Sequence, residues 1–136
     1  MGLIHLDSGV VIGFLNSQDP HHRPAVDVMS EAFSLGDQVA MSSVAYAECL
    51  VGSLRSGDAH REFLRFILRF PVEVVDIDEE IAFEAARLRS EHQSLRMPDA
   101  MVIAAAISGG ASRLVTTDGG WPKALNGLKG LKVEKL

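Results

Sequence analysis

Four acidic residues lie within or at the ends of apolar segments, and their chemistry is the most informative property of this sequence. They are Asp7, Glu48, Asp99 and Asp118. A carboxylate alone in apolar surroundings is costly, so several such acids usually share a positive partner. Hard divalent cations prefer oxygen ligands, which makes Mg²⁺ the simplest shared partner. The sequence therefore predicts a magnesium-dependent site, and we interpret that site as belonging to a nuclease.

Each acid also has an explanation that needs no ligand. Asp118, followed by two glycines, could be a turn residue. Asp99 could interact with a helix dipole in a first turn, and Asp7 could cap the first helix. Glu48 is harder to explain in this way, because its apolar surroundings in the sequence predict a side chain that is half buried or more. The occurrence of all four acids together favours the shared site.

Three polar residues near these acids could assist the same chemistry. Ser8 and Thr116 could hold a water molecule or orient a carboxylate beside the ion, but they would serve equally as a helix cap and a strand residue. Arg96, three residues before Asp99, is a candidate for contacting a substrate phosphate. Zinc is disfavoured, because Cys49 is the only cysteine and no His-x-x-x-His spacing occurs.

Composition predicts one domain, residues 1–136, with a core of aliphatic side chains. Hydrophobic residues make up 47% of the chain and aromatic residues only 6%, which suits helices packed on a buried parallel sheet. We find no signal-peptide pattern and no run of the roughly 18 apolar residues that a bilayer span needs, so we expect a cytoplasmic protein without membrane contact. The net charge of −5 argues against a broadly basic surface but is compatible with a nuclease whose acids bind metal.

Strand and helix patterns alternate along the chain. We expect strands at 3–6, 38–41, 72–77, 114–117 and 131–134. We expect six helices, ending near residues 16, 36, 54, 70, 92 and 109. Their expected starts are Ser8 as a cap, Asp19 as a cap followed by Pro20, Ser42 or Ser43 as a cap, Asp58, Asp78 as a cap, and Pro98.

This alternation predicts an α/β fold in which all four acids meet. Strands separated by helices imply right-handed crossovers and a parallel sheet with helices on both faces. In such folds the site lies beyond the carboxyl ends of the strands, where the strand order reverses. Asp7 and Asp118 each end a strand, Asp99 begins a helix, and Glu48 lies about one turn into another. We therefore expect the four carboxylates at one edge of the sheet.

The four acidic segments, taken in order, resemble the motifs of a known family. They are Leu-Asp-Ser-Gly-Val-Val-Ile at 6–12, Ser-Val-Ala-Tyr-Ala-Glu at 43–48, Leu-Arg-Met-Pro-Asp-Ala at 95–100 and Leu-Val-Thr-Thr-Asp at 114–118. This ordered set resembles PIN domains, most closely the VapC toxins of bacterial toxin–antitoxin pairs, over nearly the whole chain. Ser8 stands where Thr is commoner in the family, and Gly119-Gly120-Trp121 replaces a segment that often holds an acid and Phe.

The resemblance implies a single-domain, three-layer sandwich with five parallel strands in the order 3-2-1-4-5. It implies Mg²⁺ or Mn²⁺ as cofactor, endonucleolytic cleavage of RNA, and Asp7, Glu48, Asp99 and Asp118 as catalytic and metal-binding residues. Toxin members of the family are typically homodimers neutralised by a VapB-type antitoxin, whose C-terminal segment covers the acidic groove.

Three other functions remain open at the level of sequence. A stand-alone RNA-processing nuclease would use the same site without an antitoxin. A Mg²⁺-dependent phosphotransfer or phosphoacceptor domain also uses acids at strand ends, but Gly9 stands where a phosphatase of this kind would need a second Asp. A non-catalytic binding module could keep the fold, although the complete set of acids argues against it.

Overall fold

The computed structural model describes residues 2–136, which form a five-stranded parallel sheet flanked by six helices. The strand order is β3-β2-β1-β4-β5, as the resemblance implied. The strands are β1 (Leu3–Leu6), β2 (Gln38–Ser42), β3 (Glu73–Val75), β4 (Arg113–Thr116) and β5 (Lys132–Lys135). Because β1 is central and its neighbours β2 and β4 continue the order in opposite directions, the strand order reverses beside β1, where such folds place their sites.

The helices lie between the strands in the expected order. They are α1 (Ser8–Leu15), α2 (His22–Leu35), α3 (Ser43–Ser53), α4 (Gly57–Arg69), α5 (Glu79–Glu91) and α6 (Met97–Ser108). Helix α5 packs mainly on α6, and α1 packs on α2 and α3. No helix within residues 2–136 has the length and apolar character that a membrane crossing requires.

Two helix starts follow the side-chain caps that the sequence predicts. The hydroxyl of Ser42 accepts a hydrogen bond from the Ala45 amide at 3.1 Å, and the Asp78 carboxylate accepts one from Ile81 at 2.8 Å. At the end of α2, Gly36 adopts a left-handed conformation with φ of 68°, which its missing Cβ permits.

Four other starts differ from the prediction, and one of them is the start of α6, which begins at Met97 rather than at Pro98. Asp7, rather than Ser8, caps α1. Helix α2 begins at His22, because the Asp19 carboxylate accepts the His21 amide at 2.8 Å and forms a local turn instead of a cap. Helix α4 begins one residue early, at Gly57, after a cap by the Ser56 hydroxyl.

Helix α6 forms much of the core and thereby fixes Asp99. Its residues from Val102 to Ala106 are all buried, and Ala100 is completely inaccessible to solvent. Such a helix is apolar on nearly every side because the protein surrounds it. Asp99 lies in its first turn, so its backbone position is set by a rigid element.

His5 lies in the middle of β1 and is buried without a polar partner. It pairs in register with Ala40 of β2 and Leu114 of β4, and only 1% of its surface is exposed. Neither ring nitrogen forms a hydrogen bond within residues 2–136. Burial lowers the pKa of His5 to about 4, so the ring is neutral at physiological pH.

The connection from β4 to β5 begins with the turn expected at 118–120, where the Gly120 amide donates a hydrogen bond to Asp118 Oδ1 at 2.7 Å. It contains two short 3₁₀ turns, Lys123–Leu125 and Leu128–Gly130. The side chains of Leu125 and Leu131 are buried. The Asn126 amide oxygen accepts a hydrogen bond from the Val133 amide at 2.9 Å, which fastens this loop to β5.

Candidate active site

The four sequence-predicted acids come from four separate segments at the carboxyl edge of the sheet. Asp7 follows β1 directly, and Asp118 lies just beyond β4, the strand hydrogen-bonded to β1. Asp99 lies in the first turn of α6. Glu48 lies in the second turn of α3, which begins directly after β2. Strand ends and helix starts therefore supply all four positions, as expected for an α/β fold.

Asp7 is buried and rigidly held. Its Oδ1 accepts the Ser8 amide at 2.9 Å, and its Oδ2 accepts the Thr116 hydroxyl at 2.7 Å. The Thr116 oxygen in turn accepts the backbone amide of Asp118 at 3.0 Å. Thr116 thus connects two of the acids and fixes the orientation of one of them.

Burial raises the pKa values of Asp7 and Asp99, and the charges of neighbouring carboxylates raise them further. Burial is the largest cause of the raised pKa of Asp7, and the charges of Asp99 and Asp118 raise it further, against the hydrogen bonds from Thr116 and Ser8. The pKa of Asp99 is also raised, mainly by burial and to a smaller extent by the charge of Asp118, whereas the positive charge of Arg96 lowers it. Repulsion of this kind means that the acids lie in one electrostatic environment that carries excess negative charge.

Glu48 belongs to the same environment, although it is exposed. Its pKa is raised by partial burial first, then by the charges of Asp7 and Asp99. The Ser8 hydroxyl is close enough to lower that pKa in opposition. The exposure differs from the sequence expectation of a half-buried or more deeply buried side chain. The reason is that apolar residues occur on the outer face of α3 as well, where Val51 is 60% exposed.

Arg96 is the positive residue nearest to these acids in the sequence. Its Nε lies 3.6 Å from Asp99 Oδ2, and its side chain is 73% exposed. An ion pair this exposed contributes only about 0–1 kcal/mol to stability. Arg96 is therefore free to exchange its partner for a ligand at the rim of the site.

Trp121 is a site residue that the sequence did not identify. Its indole N–H is buried and donates no hydrogen bond of good geometry within residues 2–136, but its dipole lies near Asp99 and lowers the pKa of that carboxyl by favouring the charged form. The available signal was that the only tryptophan of the chain follows Asp118-Gly119-Gly120. Without the loop conformation, nothing placed that ring beside Asp99.

The donor chemistry of the site fits a hydrated hard cation. The ligand atoms on offer are carboxylate oxygens, and burial, followed by the charges of neighbouring carboxylates, raises the pKa values of Asp7, Glu48 and Asp99. Within residues 2–136 no three acidic, histidine or cysteine side chains form a ready-made cluster of ligands. Mg²⁺ commonly binds through one or two carboxylates and retains several waters, so it does not require such a cluster.

Comparison with protein families identifies the class. The family model described as PIN domain matches residues 4–124. The chain belongs to the PIN domain family, a family of nucleases. No curated protein sequence matches the chain.

Solved structures of the same fold include VapC toxins. VapBC-1 from nontypeable Haemophilus influenzae is 19% identical, with a TM-score of 0.72, 98% of this chain and 97% of that chain covered. VapBC2 from Rickettsia felis, bound to a promoter DNA fragment, is 19% identical, with a TM-score of 0.70 and 98% of each chain covered. VapC20 from Mycobacterium tuberculosis, described as a toxin that cleaves the sarcin–ricin loop, is 19% identical, with a TM-score of 0.67, 85% of this chain and 90% of that chain covered.

Proposed function

We propose that this chain is a divalent-metal-dependent endoribonuclease and the toxin of a VapBC-type toxin–antitoxin pair. The observation that carries the proposal is the position of four acids, from four separate segments, at the carboxyl edge of the sheet where α/β enzymes place their sites. Membership of the PIN domain family supports a nuclease.

Asp7 and Asp99 would hold the principal Mg²⁺ or Mn²⁺, and Asp118 and Glu48 would bind through water or hold a second ion. When bound, such a cation lowers the pKa of a water molecule and offsets charge on a phosphodiester. Thr116 and the Ser8 amide keep the Asp7 carboxylate in one orientation. Because these two hydrogen bonds also favour the ionised form of Asp7, they preserve a charged ligand despite its burial.

Arg96 would contact a phosphate of the RNA at the rim of the site. Its guanidinium is largely exposed and lies beside Asp99, so a phosphate bound there would sit next to the metal ligands. A guanidinium presents several N–H donors in a geometry that suits phosphate. Substrate binding at this position would also relieve the pairing between Arg96 and Asp99.

A VapB-type antitoxin and a second copy of the chain are the proposed partners. The similar structures include the complexes VapBC-1 and VapBC2, which supports an antitoxin. Induction of the chain alone should arrest growth, and co-expression of an adjoining small DNA-binding protein should restore it. RNA cleavage in vitro without growth arrest would instead indicate a stand-alone processing nuclease.

The direct test is RNA cleavage by the purified chain in Mg²⁺, in Mn²⁺ and in EDTA. Asp99→Asn should lower the cleavage rate by at least about 100-fold, because it removes a charged ligand while keeping a similar shape. Asp27→Asn is the matched control, since Asp27 is an exposed residue of α2 outside the acidic site. Cleavage that persists in EDTA, or that Asp99→Asn leaves intact, would overturn the proposal.

A further inference from the structure

A cavity lined by both polar and apolar residues adjoins the acidic site on the side of β5. It has a volume of about 320 Å³, and Asp118 and Thr116 form its wall nearest to the other acids. Trp121 also lines it, and Asp118 belongs both to this cavity and to the acidic site, so the two adjoin. Lys123 lines this cavity as well. We call this space the β5 cavity.

The β5 cavity contains a second lysine whose position is set by the sheet. Lys135 pairs in register with Thr116, whose hydroxyl binds Asp7. Neighbouring parallel strands are about 4.8 Å apart, so Lys135 is one strand away from the acidic site. Its stem passes Gly119 closely: a Cβ built on that glycine would lie 3.4 Å from Lys135 Cε.

In the part of the chain that the structure describes, neither lysine has a carboxylate partner. Within residues 2–136, the other cations near this region are paired, Arg96 with Asp99 and Lys129 with Glu84, whereas Lys123 and Lys135 have no acidic oxygen within 4.0 Å. The chain has a net charge of −5, and its acidic site repels a polyanion such as RNA. Two ammonium groups in one cavity beside that site would counteract this repulsion locally.

We propose that the β5 cavity binds a backbone phosphodiester of the RNA substrate. This phosphodiester neighbours, on the same strand, the one that is cut, and Lys123 and Lys135 bind it. This inference rests on the proposed nuclease function and describes how the nuclease would bind its RNA substrate. Ammonium groups bind phosphate without reading base sequence, so the contact positions the strand rather than selecting a base. Asp118 lines the same cavity, but it forms no ion pair with either lysine within residues 2–136, so we expect the lysines to act on binding rather than on the chemical step.

The test measures RNA binding separately from cleavage. The Kd for a fluorescein-labelled single-stranded RNA with hydroxyl ends is measured by anisotropy in Mg²⁺, in the Asp99→Asn background, so that only internal phosphodiesters are offered and no strand is cut. The double variant Lys123→Gln/Lys135→Gln is compared with Lys132→Gln, a control at an exposed residue of the same strand that does not line the cavity.

Two phosphate contacts predict a change in salt dependence as well as in affinity. For single strands the slope of log K against log salt changes by about 0.7 per contact, so the double variant should lose about 1.4 from the slope. Its Kd should rise by roughly tenfold near 50 mM salt and by less at 200 mM. Lys→Arg at both positions should restore binding. In the cleaving chain, KM should rise while kcat changes little.

The possible outcomes distinguish the phosphodiester-binding site from the nuclease activity. If the chain cleaves RNA but the double variant binds like Lys132→Gln, the phosphodiester site is wrong and the nuclease stands. If RNA binds in a manner dependent on both lysines but no cleavage occurs, the nuclease is wrong and the binding site stands. A chain that neither binds nor cleaves RNA overturns both. A lower melting temperature without RNA, and an unchanged salt slope, would assign the lysines a structural role and overturn the binding site.

Discussion

Replacing the buried His5 with leucine should remove a strong acid sensitivity of the fold. His5 is 1% exposed, neither ring nitrogen has a partner within residues 2–136, and burial lowers its pKa to about 4. In the unfolded chain the imidazole has its ordinary pKa of about 6.5. Between that pH and about pH 4, the His5 imidazole binds a proton in the unfolded chain but not in the folded protein. The free energy of unfolding therefore decreases as the pH falls through this range.

The magnitude follows from the two pKa values. The wild-type chain should lose about 2 kcal/mol of unfolding free energy between pH 8 and pH 5 from His5 alone, and about 3 kcal/mol by pH 4. At pH 8, His5→Leu should be at least as stable as wild type. It removes two buried unpaired nitrogens, each costing about 1–3 kcal/mol, against a shape mismatch of up to about 1.5 kcal/mol.

The assay is urea unfolding at pH 8, 6, 5 and 4 in EDTA, followed by circular dichroism. The quantity of interest is the difference between variant and wild type at each pH, in which the contributions of the acids cancel. His92→Leu, at a half-buried position, is the matched control for the loss of one histidine from the unfolded chain. If wild type and His5→Leu lose stability in parallel from pH 8 to pH 4, the assignment of His5 as a buried neutral base is wrong.

Three further predictions concern the site and its supports. Mg²⁺ at about ten times its Kd should stabilise the wild-type chain by about 1.4 kcal/mol and the Asp99→Asn variant by much less. The shift in melting temperature measures this difference, and equal shifts in the two proteins would show that the ion binds away from Asp99. Burial raises the pKa of the Cys49 thiol to about 12, so the native chain at pH 8 should resist iodoacetamide while the urea-unfolded chain reacts; rapid native alkylation would contradict this. Gly9→Ala should destabilise by about 1–3 kcal/mol, because its Cβ would lie 2.1 Å from Thr117 Oγ1. Gly52→Ala, with nothing within 4 Å, should instead be neutral or stabilise by up to about 1 kcal/mol, and equal effects at the two glycines would refute the steric argument.

The sequence predicted the order and type of the main elements because their periodicities are strong. The span of β1 and the cap at Asp78 are as expected, and the parallel pairing of the strands follows from their alternation with helices, whereas the strand order was implied by the family resemblance. Helix α2 begins at His22, later than predicted, because the Asp19 carboxylate accepts the His21 amide and forms a turn. An Asp-Pro sequence is compatible with either a helix cap or a turn. Local composition cannot decide between such alternatives.

The candidate site was predictable only in part. The four acids stand out because each interrupts or ends an apolar segment, which a single sequence reveals. Trp121 and Lys135 do not, since their proximity to the acids depends on the β4–β5 register and on the conformation of the loop between them. Contacts between residues far apart in sequence are fixed by tertiary packing, and short polar segments carry little information about it.

The hydrogen bonds of Asp7 make it an unsuitable position for inactivating this protein. One carboxylate oxygen caps α1 and the other accepts the Thr116 hydroxyl, so truncation to alanine would remove a helix cap, at a cost of about 0.5–2 kcal/mol, and leave a buried hydroxyl without its acceptor. An inactive Asp7→Ala sample would therefore confuse a loss of chemistry with a loss of folded protein. Asp99 caps no helix within residues 2–136, so a variant made there would test the proposed chemistry without that confusion.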